Sequence, residues 1–365
     1  MRKDNQNPHN LRIATYNVAW FTNLFGRNDV LLADDEWSSR YKIRRRDQLK
    51  AIAKVMQAVN ADAIMVIEAP DTGGDRNSVR ALQNFADEYG LRQSRALSGF
   101  ESHTRQEITL MYDPDVVAVK HSPRGMRSKG LTPERAPRFD SKFLYDLGVE
   151  GQNSVHTFSK PPLEVLLTHK ASGKSLHLIG VHNKSKGLHE RLHEDVMIKL
   201  AISNRNKQLG QCVWIRQRVE NHIAAGEPVI VLGDFNDGPK MDAYEALFEK
   251  SSIEIVMGDP REHLTYMDDP NASIFLDPMS GWALSSARFY NSELKWYVNT
   301  LLDYIMVSPD LAALPNSRRI FHPFDDPNCY AQSPLSQALL TASDHFPVVF
   351  DVSIGAPDPN GQEQV

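Results

Sequence analysis

Short apolar runs alternate along the chain with longer segments whose apolar residues recur every three or four positions. Eight runs read as strands: LRIATYNVAWF, DAIMVIEA, EITLMYDP, LEVLLTH, SLHLIGVH, PVIVLGDF, LLDYIMVS and FPVVFDVS. In PVIVLGDF the residues from Val229 to Leu232 are continuously apolar, which suits a strand covered on both faces. Two segments read as helices. RRRDQLKAIAKVMQAVN gathers Leu49, Ile52, Ala53, Met56 and Val59 on one stripe, with Arg44, Arg45, Lys50 and Lys54 off it. NRNKQLGQCVWIRQRVENHIAAG has a similar pattern and closes at Gly226, a C-terminal cap. Strands and helices run from end to end without a composition break or a repeat. The pattern predicts one α/β domain over residues 11–354, a flexible N-terminus over 1–10 and a flexible tail over 355–365. HSPRGMRSKGLTPERAPRFD, rich in Pro, Gly and Arg, reads as an irregular insertion.

Composition narrows this only a little. The 365 residues are 41% hydrophobic and 24% charged, ordinary for a globular protein. A formal charge of −5 argues against a generally basic, DNA-coating protein, but not against a local basic patch or a metal-assisted phosphate site. Cys212 and Cys329 are too few for a disulfide framework. The polar start MRKDNQNPHN has no signal-like apolar region, and no stretch approaches the roughly 20 apolar residues of a membrane helix. A cytoplasmic monomer is the expectation, with a secreted or periplasmic mature form left open.

The strand ends change the picture most. TYNV finishes on Asn17, IMVIEAPD turns at Glu68, and HLIGVH ends on His182. VLGDFND presents Asp234 and Asn236, LLDYIMVS opens with Asp303, and ASDHFPVVF brings Asp344 and His345 to the start of a strand. Any one of these is an ordinary turn residue. Six segments ending alike are not, because carboxylates are seldom buried unless paired or on a metal. Antiparallel neighbours present opposite ends on the same side, so these groups can converge at one rim.

The set resembles the endonuclease/exonuclease/phosphatase superfamily, the metal-dependent phosphoesterases related to pancreatic deoxyribonuclease. GDFND and SDHFPV carry the resemblance, supported in order by TYNV, the upstream glutamate and LLDYIMVS. SKPPLEVLL looks like the family's strand before its central histidine, where an Arg more often precedes the two prolines. The resemblance implies a four-layer α/β/β/α sandwich of two mixed sheets, helices outside and the site at one rim. It also implies a divalent cation: Mg²⁺ or Mn²⁺, with Ca²⁺ as a further candidate. Glu68 is then the leading metal ligand, Asn17 places the metal or its water, and Asp344 approaches a metal. Asp234 becomes the general base or water-orienting carboxylate, Asn236 a donor to a phosphate oxygen, and His182 the phosphate-contacting or leaving-group histidine. Asp303 orients His345, which contacts the scissile phosphate or takes a proton. Two departures are plain: Ile67 precedes Glu68 where many members have Gln, and Asn183 replaces a usual apolar residue.

Substrate choice is less legible. Lys184 and Lys186 are candidates to attract a substrate anion, against the equal alternative of a solvated loop. RYKIRRRDQ and RGMRSKGLTPERAPR are basic enough to track a nucleic-acid backbone, with a solvated helix face and a loop as the plainer readings. Trp282, Tyr290, Trp296 and Tyr297 either stack on substrate or anchor their loop, with core packing the expectation. The reading adopted is a metal-dependent phosphodiesterase, foremost a nuclease. A hydrolase of small or lipid-derived phosphoesters and a catalytically silent scaffold are its alternatives.

Overall fold

The computed structural model describes residues 9–127, 136–146, 154–185, 194–238, 250–276, 284–291 and 295–355. Its strands are β1 (Asn10–Asn17), β2 (Ala63–Ala69), β3 (Arg95–Ser98), β4 (Glu107–Tyr112), β5 (Val117–His121), β6 (Phe143–Tyr145), β7 (Ser154–His156), β8 (Leu163–His169), β9 (Ser175–His182), β10 (Val229–Asp234), β11 (Ala287–Asn291), β12 (Trp296–Thr300), β13 (Asp303–Val307), β14 (Asn316–Ile320) and β15 (Val348–Ser353). Its helices are α1 (Arg45–Val59), α2 (Ser78–Tyr89), α3 (Glu194–Ala224), α4 (Ser252–Met257), α5 (Pro270–Leu276), α6 (Pro309–Ala312), α7 (Pro327–Tyr330) and α8 (Ser333–Ala342). All eight strands expected from the apolar pattern are present.

Two mixed sheets dominate, ordered β14-β15-β1-β2-β4-β3 and β13-β10-β9-β8-β5. Each contains one parallel pair, β1 with β2 and β9 with β10, flanked by antiparallel neighbours. Side chains alternate across a strand, so each strand supplies two layers. Leu11 and Ile13 of β1, Met65 and Ile67 of β2, and Ile230 and Leu232 of β10 fill the space between the sheets. The intervening Ala14, Tyr16, Ile64 and Val66 face α1, α2 and α8 through Leu49, Ile52, Phe85 and Leu339. Val229, Val231, Ile179 and Val181 face Trp214, Ile215 and Val219 of α3 and Ile253 of α4. Two sheets that are apolar on both faces must each be covered twice, and the α/β/β/α sandwich is the result. A Cβ on Gly180 would lie 2.5 Å from Met65 Sδ, so the sheets close tightly just inside one rim.

The sequence pattern gave no sign of β3, β5, β6, β7, β11, β12 and β14. These are edge strands or small hairpins with polar outward positions, such as NSRRI in β14, and their alternation is short and broken. Helix α3 begins earlier than expected. The Pro/Arg-rich insertion is less irregular than it reads, because Ala136 and Phe139 join the layer under α3. Residues 128–135 of that insertion lie outside the described residues, as do both terminal segments apart from His9, Asn10 and Gly355.

Candidate active site

Period-two alternation delivers four of the expected groups to one place. Counting on from Ile13, Leu178, Leu232 and back from Ile305, the inner-face positions at the rim are Asn17, His182, Asp234 and Asp303. Register completes the row: Asp234 stands opposite His182 on one side and Asp303 on the other. Gly233 makes this possible. Its φ of 141° lies in the left-handed half of conformational space, and a Cβ there would strike the Val181 carbonyl. Across the gap between sheets, Asn17 Nδ2 donates to Asp234 Oδ2 at 2.9 Å.

Asp234 is 2% exposed and collects further donors. The Asn236 N–H donates to Oδ1 at 2.7 Å, and Asn236 Nδ2 lies 3.3 Å from Oδ2. Asn236 adopts φ 51°, which bends the chain back over the carboxylate. His182 Nε2 stands 3.8 Å from Oδ2. The remaining acid of GDFND turns away, for Asp237 pairs with the buried Arg205 guanidinium at 2.9 Å.

Glu68 needs a different device. Ile67 faces the inter-sheet core, so strict alternation would send Glu68 to the outer layer. Instead Glu68 takes φ 60°, and the β2–β4 register slips between Ile67 and Ala69. This bulge re-aims the carboxylate into the rim, where the Trp20 N–H donates to Oε2 at 3.2 Å.

The second half of the site is a buried dyad. His345 Nδ1 lies 2.8 Å from Asp303 Oδ2, and Asp303 is 1% exposed. Ser286 Oγ donates to the same oxygen at 2.8 Å while accepting the N–H groups of Leu302 and Asp303. Asp344 and His345 sit in the turn before β15 rather than at its start. Ser343 pins that turn, donating to the Asn17 carbonyl at 2.8 Å and accepting the His345 N–H at 3.1 Å. Arg40 Nη1 approaches Asp344 Oδ1 at 3.4 Å.

Charge is distributed unevenly. Burial pushes the Asp234 carboxyl up to about 7, with His345 opposing and Asp303 adding to the rise. Burial alone would lower His345, but the Asp303, Asp234 and Asp344 carboxylates overcome it and raise the imidazole to about 10. Glu68 is raised by burial, which the Trp20 N–H and the Lys160 and His345 charges only partly offset. His182 is held well below the usual histidine range by burial and by Lys160 and His345, so it is neutral.

Lys160 was not singled out from the sequence. Its Nζ lies 3.2 Å from both ring nitrogens of His182, and its charge is felt by Glu68 and Asp234. The available signal was its place before the prolines of SKPPLEVLL, where the resembling family more often has Arg. Ser286, Arg40 and Trp20 were missed as well, since nothing in their local sequence marks them. Lys184 lies near enough to lower the Lys160 pKa. Asn183 points inward, its Nδ2 3.2 Å from Cys212 Sγ. Lys186 and Trp282 lie outside the described residues. The basic run RYKIRRRDQ is largely neutralised, with Arg45 on Asp34 and Arg46 on Asp35 at 2.7 and 2.8 Å.

The expectation of core packing for the aromatic segment is corrected. Tyr290, Trp296 and Tyr297 are 56%, 61% and 55% exposed on the β11–β12 hairpin. Arg288 lies over the Tyr297 ring at 4.5 Å. The hairpin is tied to the site, because the Arg288 N–H donates to the Asp344 carbonyl at 2.6 Å and Ala287 bridges His345. An apolar ring in a hairpin looks the same in sequence whether or not anything covers it.

The residues fit a hard divalent cation. Among the described residues, Asn17 Oδ1 and Asp303 Oδ1 are buried oxygens with no hydrogen-bond partner, and Glu68 is a desolvated carboxylate that accepts from the Trp20 N–H. Ligand atoms of Asp234, Asp303 and His345 also lie within 4.8 Å of one another.

The endonuclease/exonuclease/phosphatase family model matches residues 14–345, and the chain belongs to that family of phosphoester hydrolases. Among solved structures, TDP2 from Caenorhabditis elegans is 13% identical over 96% of this chain and 77% of its own, with a TM-score of 0.49. A family protein from Bacteroides thetaiotaomicron is 12% identical, covering 95% and 98%, at a TM-score of 0.47. The human Nocturnin catalytic domain with bound sulfate is 14% identical, covering 94% of each chain, at 0.44. No curated protein matches the sequence. Among the described residues, no helix is long and apolar enough to cross a membrane.

Proposed function

We propose that this protein is a divalent-metal-dependent phosphodiesterase acting on nucleic acid, with Asp234 as the base that activates the attacking water. The observation that carries this reading is the pairing, at one rim, of two raised groups whose shifts have opposite consequences for charge. A carboxyl raised to about 7 accepts a proton near neutral pH, while an imidazole raised to about 10 stays protonated and cannot. That supports Asp234 as the base and His345 as a cationic donor. With Nδ1 engaged by Asp303, His345 presents Nε2 to a phosphoryl oxygen.

Asn236 steers the Asp234 carboxylate and offers its amide to the substrate. Neutral His182 and cationic Lys160 flank the base and bind a non-bridging oxygen, with Lys184 at the mouth. Asn17, Glu68 and Asp344 would hold Mg²⁺ or Mn²⁺, which supplies charge neutralisation on the phosphoryl oxygens. The exposed hairpin aromatics and Arg288, hydrogen-bonded to the His345 turn, supply a stacking surface beside the site, which favours nucleic acid over small or lipid esters.

Hydrolysis is tested on single- and double-stranded DNA, RNA, bis-(p-nitrophenyl) phosphate, p-nitrophenyl phosphate and a phospholipid, with Mg²⁺ or Mn²⁺ and after chelation. Metal-dependent cleavage of nucleic acid that falls at least about a hundredfold in Asp234→Ala is expected. Turnover confined to the small or lipid esters, or undiminished in the variant, sinks the reading.

A further inference from the structure

At the other end of β9 from His182, the outer face of the second sheet meets the last turn of α3, and three side chains converge. His177 lies on β9, His222 on α3 and Glu227 in the turn that follows. Five residues of strand separate His177 from His182, about 17 Å at the usual rise, so the cluster is remote from the rim. Glu227 Oε2 lies 2.9 Å from His222 Nδ1 and 3.6 Å from His177 Nε2. All three donor atoms fall within 4.8 Å of one another.

We propose that His177, His222 and Glu227 form a second metal site, remote from the rim, for a borderline transition-metal dication of the Zn²⁺ class. Zinc holds imidazole nitrogen and carboxylate oxygen at about 2.0–2.1 Å in a tetrahedron, which sets neighbouring donors about 3.3–3.4 Å apart. The two contacts, at 2.9 and 3.6 Å, bracket that edge. Arg124 Nη2 holds the other oxygen, Glu227 Oε1, at 2.5 Å and so fixes the carboxylate with Oε2 toward the imidazoles. Burial lowers His177 and brings His222 to about 4, which keeps both rings neutral. A proton shared by His222 and Glu227 accounts for one contact only. His177 at 3.6 Å is too far for a hydrogen bond to the same oxygen, and the two rings stand 4.4 Å apart centre to centre. Two nitrogens suit zinc and serve Mg²⁺ poorly, so the two sites differ in the metal they take. The Glu227 side chain, 30% exposed, leaves solvent a path to the fourth position. A cation there would clamp β9, α3 and the following turn together, raising Tm.

Co²⁺ serves as the spectroscopic probe, titrated into protein saturated with Mg²⁺. One four-coordinate Co²⁺ per chain is expected, with visible bands that persist in Glu68→Gln and Asp234→Ala. Affinity should fall at least about tenfold in Glu227→Gln and about a hundredfold in His177→Ala, and the Zn²⁺-induced rise in Tm should vanish in both. Circular dichroism checks that the variants fold. Should a histidine variant not fold, the wild-type spectrum and the partly exposed Glu227→Gln decide. Absence of four-coordinate bands in the wild type, their loss in Glu68→Gln, or their persistence at full affinity in Glu227→Gln overturns the proposal.

Discussion

Asp303→Asn isolates the charge of one carboxylate. The amide oxygen can still accept from His345 Nδ1 and from Ser286 Oγ, so shape and hydrogen bonding survive. Raising His345 from 6.5 to about 10 is worth roughly 5 kcal/mol in favour of the imidazolium, at about 1.4 kcal/mol per pKa unit. Three carboxylates share that effect, and only Asp303 is in hydrogen-bond contact, at 2.8 Å. A charge-assisted bond of this kind contributes about 1.5–3 kcal/mol, which is the part Asp303 supplies. Its loss should bring the His345 pKa down by roughly one to two units and slow turnover about 10- to 100-fold.

The assay is kcat/KM for nucleic-acid cleavage across the pH range. In the wild type the rate should rise as pH passes about 7, where Asp234 ionises, and fall as pH approaches about 10, where His345 loses its proton. In Asp303→Asn the acidic limb stays and the alkaline limb moves down. The stability effect has the same sign. A histidine raised in the folded state contributes fully below pH 6.5 and loses that contribution as pH climbs through about 10. The variant should therefore differ in stability from the wild type more at pH 6 than at pH 10. An alkaline limb that does not move, with turnover within twofold of wild type, refutes the assignment of His345 as a cationic donor held by Asp303.

Glu68→Gln keeps an acceptor for the Trp20 N–H but removes the charge, so the Mg²⁺ concentration for half-maximal activity should rise at least about tenfold; an unchanged midpoint contradicts its place at the metal. Trp296→Ala with Tyr297→Ala should weaken single-stranded DNA binding about 10- to 100-fold by fluorescence anisotropy, at roughly 1–3 kcal/mol per stacked base. Cleavage of bis-(p-nitrophenyl) phosphate should be unchanged, and equal losses on both substrates would mean that the hairpin supports the fold rather than the substrate. Gly233→Ala places a methyl against the Val181 carbonyl at a φ of 141°, and urea unfolding should report a loss of about 2–4 kcal/mol; a change below about 0.5 kcal/mol would mean that β9 and β10 part without cost.

Much of this site was legible because it obeys simple periodicity. Asn17, His182, Asp234 and Asp303 each continue an inner-face series, so the apolar pattern that names a strand also fixes which way its last polar residue points. Glu68 breaks the series. Nothing in VIEAP announces a left-handed residue, and a register slip depends on the facing strand rather than on local sequence. Lys160 and Ser286 were hidden for another reason. They reach the site from loops, and their partners, His182 and Asp303, are 22 and 17 residues away in the chain. The exposed hairpin rings were misjudged because hydrophobicity records what a residue tolerates, not whether a neighbour arrives to cover it.

Topology explains why six segments meet. The two parallel pairs, β1–β2 and β9–β10, both end at one rim, as the Asn17–Asp234 hydrogen bond across the sheets requires. Their antiparallel neighbours β13 and β15 start there, so Asp303 and the His345 turn arrive from the opposite direction. The cost is a crowd of desolvated charge: the carboxylates of Glu68, Asp234, Asp303 and Asp344 against the cations of His345, Lys160 and Arg40. With every group ionised the balance is one negative charge, while burial drives Asp234 toward its neutral form. A dication reverses the balance to one positive, and a phosphodiester, carrying one negative charge, restores neutrality. A monoester dianion overshoots it by one charge. The site should therefore prefer bis-(p-nitrophenyl) phosphate to p-nitrophenyl phosphate in kcat/KM by at least about tenfold, the equivalent of one uncompensated charge worth roughly 1.4 kcal/mol. Equal or reversed preference would show that solvent, not the buried charge balance, sets the selectivity of this rim.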